Sequence, residues 1–424
     1  MVVRVPTCAP ALAASVLAAA ALVPIAPAAG ADLACNGLTA TIVGAGTIEG
    51  TPGDDVIVGS AGRDTIAAGD GDDVVCDGAG ADVVDLGDGD DVVVTIAVRD
   101  PHDVVDGGRG FDTIRYQRTR AVKATLGNTA TDDGEAFEAD ELLGLEGVVG
   151  GSGNDTITGS AADDVLDGGA GNDTIDGLRG SDTLLGGAGA DTFRQSTFDP
   201  AGSDDLDGGT GTDEVSYAAR KDFLEIFLDG SAPSGDPDED GAYLHDIENA
   251  RGGPGGNIIH GTDGPNRLIG GVSFDAIFDG MGADTVTTGP YCDYIAQPAG
   301  VDPGDVIDAG QGTCDRVSYQ ARSVDLTLRL GTTAAVNGAA GEGDVLRGFE
   351  EAVSGSGDDV LVGSDGIDQL IAGPGSDVVD GRGGSDALLL FDGVGGNDTA
   401  NCGFGYYDFV WLDPGDTETA CETV

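Results

Sequence analysis

Aspartates recur at nine-residue intervals along much of this chain. They stand at Asp55, Asp64, Asp73, Asp82 and Asp91, and again at Asp155, Asp164, Asp173, Asp182 and Asp191. Each closes a short glycine-rich run and precedes an apolar triplet, as in GGSGNDTIT from Gly150 to Thr158. Carboxylates and glycine-freed backbone carbonyls are hard oxygen donors, the kind that divalent cations of the calcium class take. One such aspartate alone reads as an Asx turn on a soluble surface. Tandem copies require an arrangement that places them.

The triplets supply it. In T-I-T, V-L-D or V-V-C the middle residue is Val, Ile or Leu, and β-branched residues suit a pleated, half-buried surface. A three-residue strand cannot stand alone and needs like strands stacked at about 4.8 Å. The six preceding residues must reverse the chain, with glycine at the first, second and fourth places permitting positive φ and close backbone approach. Two nonapeptides then close one flattened coil, and residues i and i+18 stack. Asp55 falls beside Asp73, Asp64 beside Asp82, and Asp155 beside Asp173. Unit charges about 5 Å apart repel by roughly 3 kcal/mol at an effective dielectric of 20. A divalent ion between turns reverses that sign. Calcium accepts 6–8 oxygens flexibly, whereas magnesium keeps a small, rigid, partly hydrated octahedron. Calcium is the expected ion.

The expected calcium ligands are the sixth-place aspartates: Asp55, Asp64, Asp73, Asp82, Asp91, Asp112, Asp155, Asp164, Asp173, Asp182, Asp191, Asp213, Asp284, Asp359, Asp368, Asp377 and Asp386. Asn257 and Asn266 replace the aspartate in two turns, and Ala162, Ser273, Tyr291, Pro101 and Pro303 break the fourth place.

The repeats form four blocks, 50–115, 150–216, 252–318 and 354–410. Segments 116–149, 217–251 and 319–353 separate them. Each opens on a tyrosine (Tyr116, Tyr217, Tyr319) and carries a glutamate near its end (Glu146, Glu248, Glu350). The larger period is therefore about 102 residues. Each segment starts with alternating apolar residues, as at Val122, Ala124 and Leu126, which predicts a strand. About 35 residues are too few for an independent core, so these segments read as wider rungs or surface loops of one stack. Residues 32–49 and 411–424 read as the N- and C-terminal caps.

GGSGNDTIT, GGAGNDTID and GGAGADTFR match G-G-x-G-x-D-x-U-x, and the chain thereby resembles the repeats-in-toxin (RTX), or hemolysin-type, family of calcium-binding repeats. The run Ile247 to Gly253 resembles the lead-in to such repeats. The resemblance implies an all-β fold, a parallel β-roll with several calcium ions held between turns by backbone carbonyls and the sixth-place Asp.

Composition fits an exported cation binder. The chain has 424 residues, 75 glycines, and 76 Asp and Glu against 19 Lys and Arg, a formal net charge of −57. Such acidity excludes nucleic acid as a natural partner. Residues 1–31 read as a secretory signal peptide, with Ala26-Pro27-Ala28 and Ala29-Gly30-Ala31 both fitting the cleavage site. No later stretch is apolar enough to span a membrane. The expected location is extracellular. High Ala, Gly, Asp and Arg with only two lysines points to a GC-rich, actinobacterial-like source.

Six cysteines remain beyond the signal, an even number that suggests disulfides in an exported chain. Cys292 and Cys314 both hold the fifth place of their turns with one turn between, so the stack sets them about 5 Å apart, within disulfide reach. Cys35–Cys76 and Cys402–Cys421 are expected from position, each pinning an end.

No catalytic constellation emerges. His102, His245 and His260 are scattered, and neither H-E-x-x-H nor G-x-S-x-G occurs. The chain is therefore expected not to be an enzyme. A structural or adhesive role, with a cell-surface or glycan partner and calcium only as scaffold, and a non-catalytic relative of exported RTX enzymes stand beside calcium binding as alternatives. Asp236–Gly241 resembles the start of an EF-hand loop, and the aromatic run Tyr406–Trp411 is expected to cap the last coil.

Overall fold

The computed structural model describes residues 33–95, 102–196, 202–237, 241–405 and 407–421. The signal segment, part of the turn that contains Pro101, the EF-hand-like residues 238–240 and Tyr406 lie outside the described residues. Among the described residues every regular element is a strand, and no helix is long and apolar enough to cross a membrane.

The chain winds as a parallel β-solenoid. Most strands are three or four residues long and pair in register with the strand one coil away, as Thr156–Thr158 with Thr174–Asp176 and Val165–Asp167 with Thr183–Leu185. The ladder joins residues 18 apart, such as Ile157 and Ile175. The middle residue of each triplet points inward: Ile57, Val75, Val93, Leu166 and Leu184 from one wall, Ile157, Ile175 and Phe193 from the facing one, all fully buried. Each coil thus buries little more than one large side chain per wall. That is a thin core for a chain that must fix every backbone residue.

Five long sheets run along the stack. Sheet I has five strands, from Thr47–Glu49 to Glu141–Leu143. Sheet II has ten, from Ile42–Val43 to Ala242–His245. Sheet III has eleven and ends at Val345–Arg347; sheet IV has nine and ends at Phe409–Trp411; sheet V has six and ends at Thr417–Thr419. The first block pairs sheets I and II, the second II and III, the third III and IV, and the fourth IV and V.

The three long segments are where sheets change. Val122–Thr125 starts the parallel ladder of sheet III, while Glu141–Leu143 ends sheet I and Gly147–Val149 continues sheet II. Leu224–Phe227 likewise starts sheet IV as Ala242–His245 ends sheet II, and Leu326–Arg329 starts sheet V as Val345–Arg347 ends sheet III. Of the two sequence readings, wider rung is therefore the correct one. Each rung contributes a strand to three sheets instead of two.

The expected disulfides are present: Cys35–Cys76, Cys292–Cys314 and Cys402–Cys421, with Cα separations of 5.6, 4.9 and 4.9 Å. At the N-terminal end Ala34–Cys35 and Leu38–Thr39 form an antiparallel hairpin. At the other end Phe409–Trp411 and Thr417–Thr419 add the last strands of sheets IV and V. Phe409 and Trp411 thus lie on the last strand of sheet IV and are half exposed.

Candidate metal centre

The turns between walls bury their sixth residues along the two edges of the coil. Asp55, Asp64, Asp73, Asp82, Asp91, Asp112, Asp155, Asp164, Asp173, Asp182, Asp191, Asp213, Asp284, Asp359, Asp368, Asp377 and Asp386 are all buried. Along an edge they form a ladder. The Asp155 N–H donates to Asp173 Oδ1 at 2.6 Å, and the Asp173 N–H to Asp191 Oδ1 at 2.7 Å. The Asp191 N–H donates to Asp213 Oδ1 at 2.7 Å. The facing edge repeats this from Asp164 to Asp182 at 2.9 Å. In this way Oδ1 of Asp173, Asp182, Asp191 and Asp213 takes a backbone donor of the previous coil.

The second oxygen divides these residues into two groups. Oδ2 of Asp73, Asp91, Asp112, Asp173, Asp182, Asp191, Asp213, Asp284, Asp377 and Asp386 is buried and has no hydrogen-bond partner. A buried, partnerless carboxylate oxygen is costly, and a bound cation would satisfy it. In contrast, Oδ2 of Asp55, Asp64, Asp155, Asp164 and Asp368 accepts the N–H of the residue four earlier, at 2.5–2.9 Å. In four of these five turns a Thr or Ser hydroxyl also bonds the carboxylate: Thr51, Ser60, Ser160 and Ser364. Asn257 and Asn266 accept the same second-place N–H at 3.0 and 2.7 Å, so a neutral side chain serves in this closed turn. Asp82 accepts the Asp64 N–H at 2.6 Å, and Asp359 accepts the Leu326 N–H at 2.8 Å with Ser354 alongside.

Glycine at the first place keeps the space beside Oδ2 clear. A Cβ on Gly186 would lie 2.6 Å from Asp191 Oδ2 and 2.7 Å from the Gly208 carbonyl oxygen, and a Cβ on Gly208 2.8 Å from Asp213 Oδ2 and 2.1 Å from the Asp246 carbonyl oxygen. The emptied volume therefore brings together a carboxylate oxygen and a carbonyl of the next coil. The fourth place needs glycine for another reason: Gly171 has φ +132°, and a Cβ there would lie 1.8 Å from the Gly153 oxygen. Oxygen-only donors converging on a space too tight for a methyl group fit a bound calcium ion.

With no cation counted, burial dominates the electrostatics. It pushes Asp173 and Asp377 up to about 7 and Asp182 to about 8, with neighbouring carboxylate charges adding and the backbone N–H opposing. Asp91, Asp213, Asp284 and Asp386 rise to about 6, burial again being the main cause. The edges thus resist full ionisation until opposite charge arrives.

Sequence reasoning missed several members of these ladders. Glu146, Glu248 and Glu350 stand where the next aspartate would be, accepting the N–H groups of Asp112, Asp213 and Asp315 at 3.0, 2.8 and 3.1 Å. Their 102-residue recurrence was the available signal. Asp293, Asp305, Asp315 and Asp398 are also buried ladder members. Inside the wide rungs lies a buried ionic network with no signal in the nonapeptide pattern. Arg322 pairs with Asp302 at 3.2 Å and Glu342 at 2.7 Å, and the Tyr319 hydroxyl donates to Asp344 at 2.5 Å. In the first rung Arg118 pairs with Glu138.

The three histidines are dispersed. His102 Nδ1 meets the Ala139 carbonyl oxygen at 2.6 Å, His245 contacts Asp205 at 3.1 Å, and His260 stacks between Phe227 and Phe278.

The model of the RTX calcium-binding nonapeptide repeat (4 copies) matches residues 43–76, 77–95, 102–115, 148–175, 167–194, 251–286 and 353–388. These stretches include most of the ladder aspartates above. No curated protein matches the chain.

Proposed function

We propose that this chain, a member of the RTX calcium-binding repeat family, is an exported protein whose folding is coupled to calcium. Calcium ions sit between successive turns and join coils that the thin core alone holds weakly. The observation that carries this reading is the row of buried sixth-place carboxylates whose Oδ2 has no partner. Open turns such as those of Asp173, Asp182 and Asp191 hold the ions through Oδ2 and first-place carbonyls. Closed turns such as those of Asp55 and Asp164 serve as structural turns. Bound calcium supplies the positive charge that lets adjacent carboxylates ionise together.

The proposed activity is binding, with no catalytic step assigned. Free calcium is far higher outside cells than in the cytosol, so the chain would stay extended during export and fold outside. The three disulfides suit an oxidising compartment. Native mass spectrometry across buffered calcium concentrations tests the reading. The mature chain should take up several ions, with ion uptake and collapse of the charge-state envelope occurring together. A compact envelope with no bound calcium would reject it.

A further inference from the structure

One gap between coils gathers more oxygen donors than the nonapeptide pattern supplies. The fourth turn of the second and fourth blocks begins with Gly177 and Gly381, as the nonapeptide pattern requires, but in the first and third blocks that place holds Asp77 and Asp279, and among the described residues it is around Asp279 that three carboxylates converge. Asp279 is fully buried. Carboxylate oxygens of Asp279, of Asp284 in the same turn and of Asp305 one coil on all lie within 4.8 Å of one another. The Asp284 N–H donates to Asp305 Oδ1 at 2.8 Å. Asp279 Oδ1, Asp284 Oδ2 and Asp305 Oδ2 have no partner.

A neutral side chain marks the place independently. Gln297 belongs to the three-residue interruption of the third block and is 3% exposed. Its amide nitrogen donates to Asp279 Oδ2, which fixes the amide at the cluster. Its carbonyl oxygen Oε1 is buried without a partner. An interruption that looks like a break in the repeat therefore delivers a further oxygen donor.

An ordinary gap offers one sixth-place carboxylate from each of two turns. Here three carboxylates and an amide oxygen converge, and calcium affinity rises with the number of charged ligands. We propose that Asp279, Asp284, Asp305 and Gln297 form a distinct calcium site, filled before the ordinary gaps and emptied after them. The site rests on the calcium-binding reading above. Its role follows from position: it lies one coil before the third wide rung, next to Asp302 and Arg322 of the buried ionic network. Ion capture there would organise the rung that starts sheet V.

The test compares the full mature chain with Asp279→Gly, which restores the residue found at Gly177 and Gly381, and with Asp279→Asn, which keeps the side-chain shape. Calcium is the probe, titrated by native mass spectrometry, with hydrogen exchange reporting on residues 279–305. In the parent the first ion should bind at least tenfold tighter than the remainder and protect 279–305 first. Both variants should lose that tight class and retain the other ions. If parent and variants bind equal numbers with equal affinities, the inference falls while the calcium-binding reading stands. If the parent binds no calcium, both fall.

Discussion

Replacing Asp173 by Asn should change stability in opposite directions with and without calcium. Asp173 is 1% exposed, its Oδ1 takes the Asp155 N–H at 2.6 Å, and its Oδ2 has no partner. The amide oxygen of Asn can keep the first bond. Without cation, burial, with Asp155 and Asp191 charges adding, pushes the Asp173 carboxyl up to about 7. A raised carboxyl binds its proton more tightly folded than unfolded. It therefore stabilises the fold below the unfolded pKa of about 3.9, and that stability is lost as pH rises through about 7. At pH 8 the ionised group costs the metal-free fold up to about 4 kcal/mol, at about 1.36 kcal/mol per pH unit. Asp173→Asn removes this, so in chelator at pH 8 less of a stabilising osmolyte should be needed to drive folding. In saturating calcium the same variant loses a charged ligand, which lowers calcium affinity, and should unfold at lower urea. Near pH 5 in chelator the difference should shrink, because the parent carboxyl is already protonated. Far-UV circular dichroism reads all three conditions. A shift of the same sign with and without calcium would refute the ion-bridging argument.

Three further outcomes follow from the same geometry. In chelator, the parent chain should gain strand signal as pH falls from 8 to 5, because Asp173, Asp182, Asp305 and Asp377, raised to about 7 or 8, take up protons; a signal that falls over this range would contradict the assignment. Gly186→Ala should reduce calcium stoichiometry and raise the calcium midpoint severalfold, since the methyl would lie 2.6 Å from Asp191 Oδ2; calorimetric titration against the parent measures it. Arg322→Ala should cost about 3–5 kcal/mol in urea unfolding with calcium present, because Asp302 and Glu342 are left buried without their cation.

Much of the fold was legible because one short period governs it. Nine residues per turn and two turns per coil set the 18-residue register, which placed Cys292 against Cys314 and Asp155 against Asp173. The wide rungs were legible only as far as their first strand, since Val122, Ala124 and Leu126 alternate. That such a strand opens a new sheet while another ends is a pairing of distant residues, such as Lys123 with Thr156 and Glu141 with Val104, and no local pattern records it. The split between open and closed turns was written in the second place, where Thr51, Ser60, Ser160 and Ser364 bond the carboxylate, but the motif alone treats all sixth-place aspartates alike. Glu146, Glu248 and Glu350 escaped because a longer side chain reaches the ladder from outside the nonapeptide frame. Asp279 escaped because it departs from the pattern at a place where glycine is expected.

The most direct measurement is amide hydrogen exchange at Asp155, Asp173 and Asp191, whose N–H groups each bond the next carboxylate of the ladder. At neutral pH these amides should be strongly protected in calcium and exchange at the rate of an unfolded chain in chelator. Equal protection in both would contradict the claim that ions between turns hold the coils together.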